Sequence, residues 1–151
     1  MRFQFEHSAT EIYSGTGGLS VVGAMINRYS QLPTQLKSLP LRHGIPHEDI
    51  VRTYLGLLCQ GKNDFEAAEG VREDTFFRQA LGIKRVPSAA RLRQRLDEHA
   101  PALTQIADTC LVPLLSNLQA PVTALPSGQV ALHADVFCLD NSKTAKEGVS
   151  R

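Results

Sequence analysis

Two aspartates near the end of the chain, Asp135 and Asp140, have the clearest capacity for chemistry. The run from 129 to 139 reads as a strand. Val130, Leu132, Ala134, Val136 and Cys138 share one face, and Ala131, His133, Asp135, Phe137 and Leu139 share the other. Both faces are largely apolar, as in a strand covered on both sides. An ionised carboxylate in such a run is costly unless it is paired, and a divalent cation is one suitable partner. Asp140 begins an Asp-Asn-Ser trio that favours a turn. The plain alternative places Asp135 near a strand end, solvated or paired with a nearby His or Lys. A second group of capable residues lies earlier: Lys84, Arg85, Arg91, Arg93, Gln94 and Arg95. The planar donor groups of Arg and Gln can grip phosphates or base edges. The ordinary alternative is that an Arg-rich helix face is merely solvated.

The elements that must position these groups are mostly helical. Ser88 is a suitable N-cap for a helix over 89–98, with Ala89, Leu92 and Leu96 as its buried stripe. Arg91, Gln94, Arg95 and Glu98 fall on a separate face, and Arg93 on a third. Asp74 can cap the preceding short helix, which runs through Phe76, Phe77, Ala80 and Leu81 to Gly82. Short helix, turn and basic helix is the order of a helix-turn-helix unit, whose second helix can enter a major groove.

Upstream, Val22, Met25, Ile26 and Tyr29 predict a helix over 19–29, followed by a short turn or helix at 33–38 and a loop at 39–44. Pro46 opens the next helix, with Glu48 and Asp49 complementing the positive end of its dipole. Ile50, Val51, Tyr54, Leu55, Leu57 and Leu58 make that helix apolar on more than one face, hence central. Residues 64–69 predict a short helix stopping at Gly70. After Pro101 comes the strongest helical periodicity, Leu103, Ile106, Ala107, Cys110, Leu111, Leu114, Leu115 and Leu118, expected to be a core helix. Pro113 should kink or break it. A stripe for a partner is the lesser alternative. Pro121, Pro126 and Gly128 mark a linker over 121–128, between a helical region 1–120 and the segment 129–151.

Composition excludes some classes of function. The 151 residues, 42% of them hydrophobic, suffice for a core. A net charge of +1 announces no overall basic field, so any DNA contact must come from a local patch. No apolar run approaches the roughly 20 residues of a membrane span, and the first residues lack a secretory signal. Cys59, Cys110 and Cys138 sit in apolar neighbourhoods, which suits reduced, buried thiols of a cytoplasmic protein. The Ser14–Gly18 stretch lacks the Gly-Lys-Ser/Thr ending of a phosphate-binding loop.

The segment 135–151 resembles the opening of the catalytic core in bacterial insertion-sequence transposases of the DDE type. Blocks at 19–29, 47–66, 72–82 and 86–98 resemble the same family, in the family's order. The resemblance implies a mostly α chain: a helical DNA-binding region with a helix-turn-helix-like unit, then the first strand or strands of a truncated ribonuclease-H-like α/β core. It implies Asp135 as the first acidic ligand of a magnesium site, with Asp140 as the second choice, and insertion-sequence terminal repeats as the DNA partner. A homodimer stays open. The remaining acidic ligands would lie beyond residue 151, so the chain is expected to be the front part of a longer enzyme. Alone it is expected not to cleave DNA, because one Asp cannot hold two metal ions.

Two other classes compete. One is a stand-alone helix-turn-helix regulator without catalytic activity. The other is a small hydrolase using Asp135 or Cys138. It ranks last, because Phe137 stands where a dehalogenase-type phosphatase needs its second Asp.

Overall fold

The computed structural model describes residues 9, 15–41, 43–119, 121 and 123–131. The chain divides into two units, Met1–Ala120 and Pro121–Arg151. Among the described residues it is mostly helical: α1 (Leu19–Tyr29), α2 (Leu32–Ser38), α3 (His47–Cys59), a 3-10 helix (Phe65–Val71), α4 (Thr75–Leu81), α5 (Ala89–Glu98) and α6 (Ala100–Asn117). No strand is present among those residues, and the expected strand beyond 131 lies outside them.

The first unit is organised around α3. Pro46 stands just before it in extended conformation, and Glu48 and Asp49 occupy its first turn. The helix ends where Gly61, at φ 71°, lets the chain fold back. There the Gly61 and Lys62 N–H groups donate to the Leu58 and Leu57 carbonyls, a pattern that satisfies the last orphan acceptors. Ile50 and Leu57 of α3 are buried with Phe77 and Leu81 of α4, Leu92 of α5, and Ala68 and Val71 of the 3-10 helix. α4 packs on α1 and α3, while α5 packs on the 3-10 helix and α3. α2 lies between α3 and α6, where Leu36, Ile106 and Cys110 form a second, smaller core.

Two glycines permit these crossings. A Cβ on Gly23 would collide with the Ala80 carbonyl, and one on Gly56 with the Leu81 and Phe77 side chains. α1 and α4 therefore meet backbone to backbone at Gly23, closer than any side chain allows.

A buried polar network joins the same helices. Arg52, 2% exposed, donates to the Leu81 carbonyl at 2.7 Å and to Asn27 Oδ1 at 2.6 Å, and pairs with Glu48 at 2.7 Å. It thus ties α3 to α1 and to the carbonyl end of α4, where a cation also complements the helix dipole.

Four expectations change. The segment at 64–69 is a 3-10 helix that continues through Gly70 to Val71, started by Asp64, whose carboxylate accepts from the Ala67 N–H. Of the kink or break expected at Pro113, the break does not occur: α6 runs as one helix of 18 residues. The proline removes one bond, and packing of Ile106 and Cys110 against α2 holds the helix on its other turns. Nor is α6 a core helix: Leu111, Val112 and Leu115 are 56%, 71% and 48% exposed. Its apolar residues spread around the cylinder, and α2 covers only one side. Finally, Cys59 is exposed at the end of α3, whereas Cys110 is buried and burial raises its thiol pKa.

In the second unit the expected linker holds a tight turn. Gly128, at φ 80°, donates to the Leu125 carbonyl at 2.8 Å, and Ala124 and Val130 pair in an antiparallel bridge.

Candidate nucleic-acid interface

The basic helix begins where the sequence places it. Ser88 Oγ accepts from the Arg91 N–H at 3.3 Å, and Glu69 Oε1 accepts from the Ala89 N–H at 2.8 Å. That backbone bond, reinforced by Arg72, lowers the Glu69 carboxyl pKa. Leu92 is fully buried, with Ala89 and Leu96 partly so, which sets the rotation of α5. Residues 82–88 connect α4 to α5. This connection is longer than the three- or four-residue turn of the usual helix-turn-helix.

A buried carboxylate fixes that connection. Asp49, 5% exposed, accepts from the Lys84 and Arg85 N–H groups at 3.2 and 3.1 Å through Oδ2. Two backbone donors that no helix or sheet serves are thereby satisfied, and the two basic side chains project from an anchored strip.

The six basic-region residues separate into distinct settings. Arg85, Arg91 and Arg95 come together with His43, Gly44 and Ile45 around a cleft of about 390 Å³. No carboxylate is among the described residues lining it. Arg85 and Arg91 are exposed, and the Arg85 side chain makes no hydrogen bond or ion pair with other described residues. Arg91 donates to Gln94 Oε1 at 3.0 Å. Lys84 is exposed but borders a different hollow, beside Leu39, Pro46 and Asp49. Arg93 faces away: it pairs with Glu66 at 2.8 Å and lies over the Phe65 ring, 5.3 Å from its centroid. Its charge is already balanced by the 3-10 helix.

Arg95 is held by the loop before α3. Its Nη2 lies 3.5 Å from the Ile45 carbonyl and 3.3 Å from His47 Nδ1, and its Nε–H is buried without an acceptor. Nε2 of His47 lies 3.2 Å from the Pro40 carbonyl oxygen. The Arg95 guanidinium lies almost equally close to both ring nitrogens, 3.3 Å from Nδ1 and 3.4 Å from Nε2, and disfavours a charged ring. Burial, first of all, lowers the His47 pKa; Arg95 and His99 reinforce that, against the raising effects of Pro40 and Glu98. His99 packs edge-on against the ring, with centroids 4.5 Å apart.

Asp135 and Asp140, the expected acidic ligands, lie outside the described residues. Within the described residues no group of three or more His, Cys, Asp or Glu is arranged to hold a metal ion. No helix among them is long and apolar enough to cross a membrane. Sequence reasoning missed Asp49, His47 and Arg52 as the polar frame behind the basic cleft. Only the i,i+4 spacing of Glu48 and Arg52 hinted at it. Comparisons with protein-family profiles, curated proteins and solved structures give no match.

Proposed function

We propose that the helical unit is the DNA-binding portion of a DDE-type insertion-sequence transposase, and that α5 with its adjoining cleft is the DNA face. One observation supports the DNA reading above others: Arg85, Arg91 and Arg95 line one cleft with no carboxylate among its described walls. A protein with a net charge of only +1 otherwise has little reason to gather three guanidinium groups unopposed. The transposase assignment is supported by the ordered blocks of resemblance. In that assignment Asp135, or Asp140 in its place, would help hold Mg2+ in the complete enzyme. When bound, the metal ions would activate the attacking hydroxyl and stabilise the leaving oxygen in strand cleavage and transfer. The residues of the helical unit bind and orient DNA in this scheme. Insertion-sequence ends are the proposed partner.

Fluorescence anisotropy with a labelled duplex at low salt tests the reading. The intact chain should bind, and Arg91→Ala should weaken binding by about tenfold, the loss of one charge-assisted phosphate contact. Arg93→Ala should change affinity little, because Glu66 already neutralises that side chain. Absence of binding at low salt, or a greater loss from Arg93 than from Arg91, would remove α5 as the DNA face.

A further inference from the structure

The cleft beside α5 has the chemistry of a grip on one phosphoryl group. Its lining holds three guanidinium groups, supplied by two separate segments of chain, and the His43 imidazole on a third. Gln94 accepts a bond from Arg91 at its Oε1, so these two side chains are coupled on the surface of α5. Arg95 is withdrawn against the Ile45 carbonyl and His47, so it contributes charge to the cleft rather than a free fork. Arg85 and Arg91 remain exposed, and the Arg85 fork is unclaimed by the described residues. Planar forks of this kind match the spacing of phosphate oxygens, and their own backbone supports are already in place. The Arg85 amide is held by buried Asp49, and the Arg91 amide by Ser88. Gly44, at φ +103°, allows the loop a conformation that side chains rarely adopt, and there the adjacent Ile45 carbonyl meets Arg95.

We infer that this cleft is a phosphate-binding site that takes one phosphoryl group between Arg85 and Arg91, with Arg95 completing its positive lining and His43 beside it. The inference deepens the DNA reading and rests on it for the source of the phosphate, a backbone phosphodiester. Free phosphate shares the chemistry and serves as the minimal probe. The role of α5 at this point is then to grip the backbone.

Amide chemical-shift titration of the isotope-labelled full chain tests this, first with inorganic phosphate and then with a short duplex. Arg85→Gln and Arg91→Gln are the cleft variants, and Arg72→Gln, whose guanidinium pairs with Glu69, is the control. Both cleft residues are exposed, so the variants should keep the native spectrum elsewhere. The expected result is a saturable shift at residues 43–45, 84, 85 and 91 with either probe, weakened about tenfold in each cleft variant and unchanged in the control. A phosphate response without duplex binding would uphold the site while sinking the DNA reading. Duplex binding that leaves these amides unmoved and ignores both cleft variants would overturn the site and leave DNA binding to another surface. No saturable phosphate response at these amides would overturn it as well.

Discussion

At the scale of single residues, polar groups buried behind the cleft matter as much as the arginines in it. His47 is buried between the Pro40 carbonyl and the Arg95 guanidinium, and burial above all disfavours its charged form. Its lowered pKa means that the unfolded chain binds its proton more readily. Between the ordinary imidazole pKa and the lowered folded one, stability therefore rises with pH. The contribution is complete above the unfolded pKa and is lost as pH falls toward the folded one. Thermal unfolding followed from pH 7 down through the imidazole range should show this slope, and His47→Gln should flatten it. An equal slope in the variant would contradict the assignment. Arg52 makes a second prediction. Its replacement by Ala leaves Glu48, Asn27 and the Leu81 carbonyl without their partner, which should cost about 3 kcal/mol in denaturant unfolding. These residues were poorly legible in the sequence. A His, an Asp and an Arg on an otherwise apolar helix carry no spacing that tells a buried network from a wet edge.

At the scale of elements, local chemistry was the legible part. Asp74, Ser88 and Gly82 act as the caps their types suggest, because a cap depends only on neighbours a few residues away. Ser88→Ala should therefore cost about 1 kcal/mol, read by chemical denaturation, and should loosen the first turn of α5. Helix crossings depend on distant partners and were not legible. Nothing around Gly23 announces that the Ala80 carbonyl will sit where its Cβ would be. Gly23→Ala should destabilise by about 3 kcal/mol, since a backbone carbonyl cannot step aside as a side chain can. α6 gives the reverse lesson: its periodic leucines predict burial, yet periodicity states which residues are apolar and not how much of the cylinder a neighbour covers. Leu111 and Leu115 remain half exposed, while the Ile106 and Cys110 side is buried with Leu36 of α2.

At the scale of the whole molecule, a nearly neutral chain gathers three guanidinium groups around one cleft with no carboxylate among its described walls, while Glu66 pairs with Arg93 and Glu69 with Arg72. The basic segment itself was legible as a run of Arg in the sequence. Its division into cleft residues and a paired residue was not, because the division depends on a loop some 40–50 positions upstream of α5 and on the 3-10 helix. The central claim is that Arg85 and Arg91 contact DNA phosphates. The salt dependence of duplex affinity measures this most directly, because each neutralised phosphate contributes about one unit to the slope of log affinity against log salt concentration. The Arg85→Ala/Arg91→Ala double variant should bind more weakly, with a slope shallower by about two; the same affinity and the same slope as the unaltered chain would contradict the account.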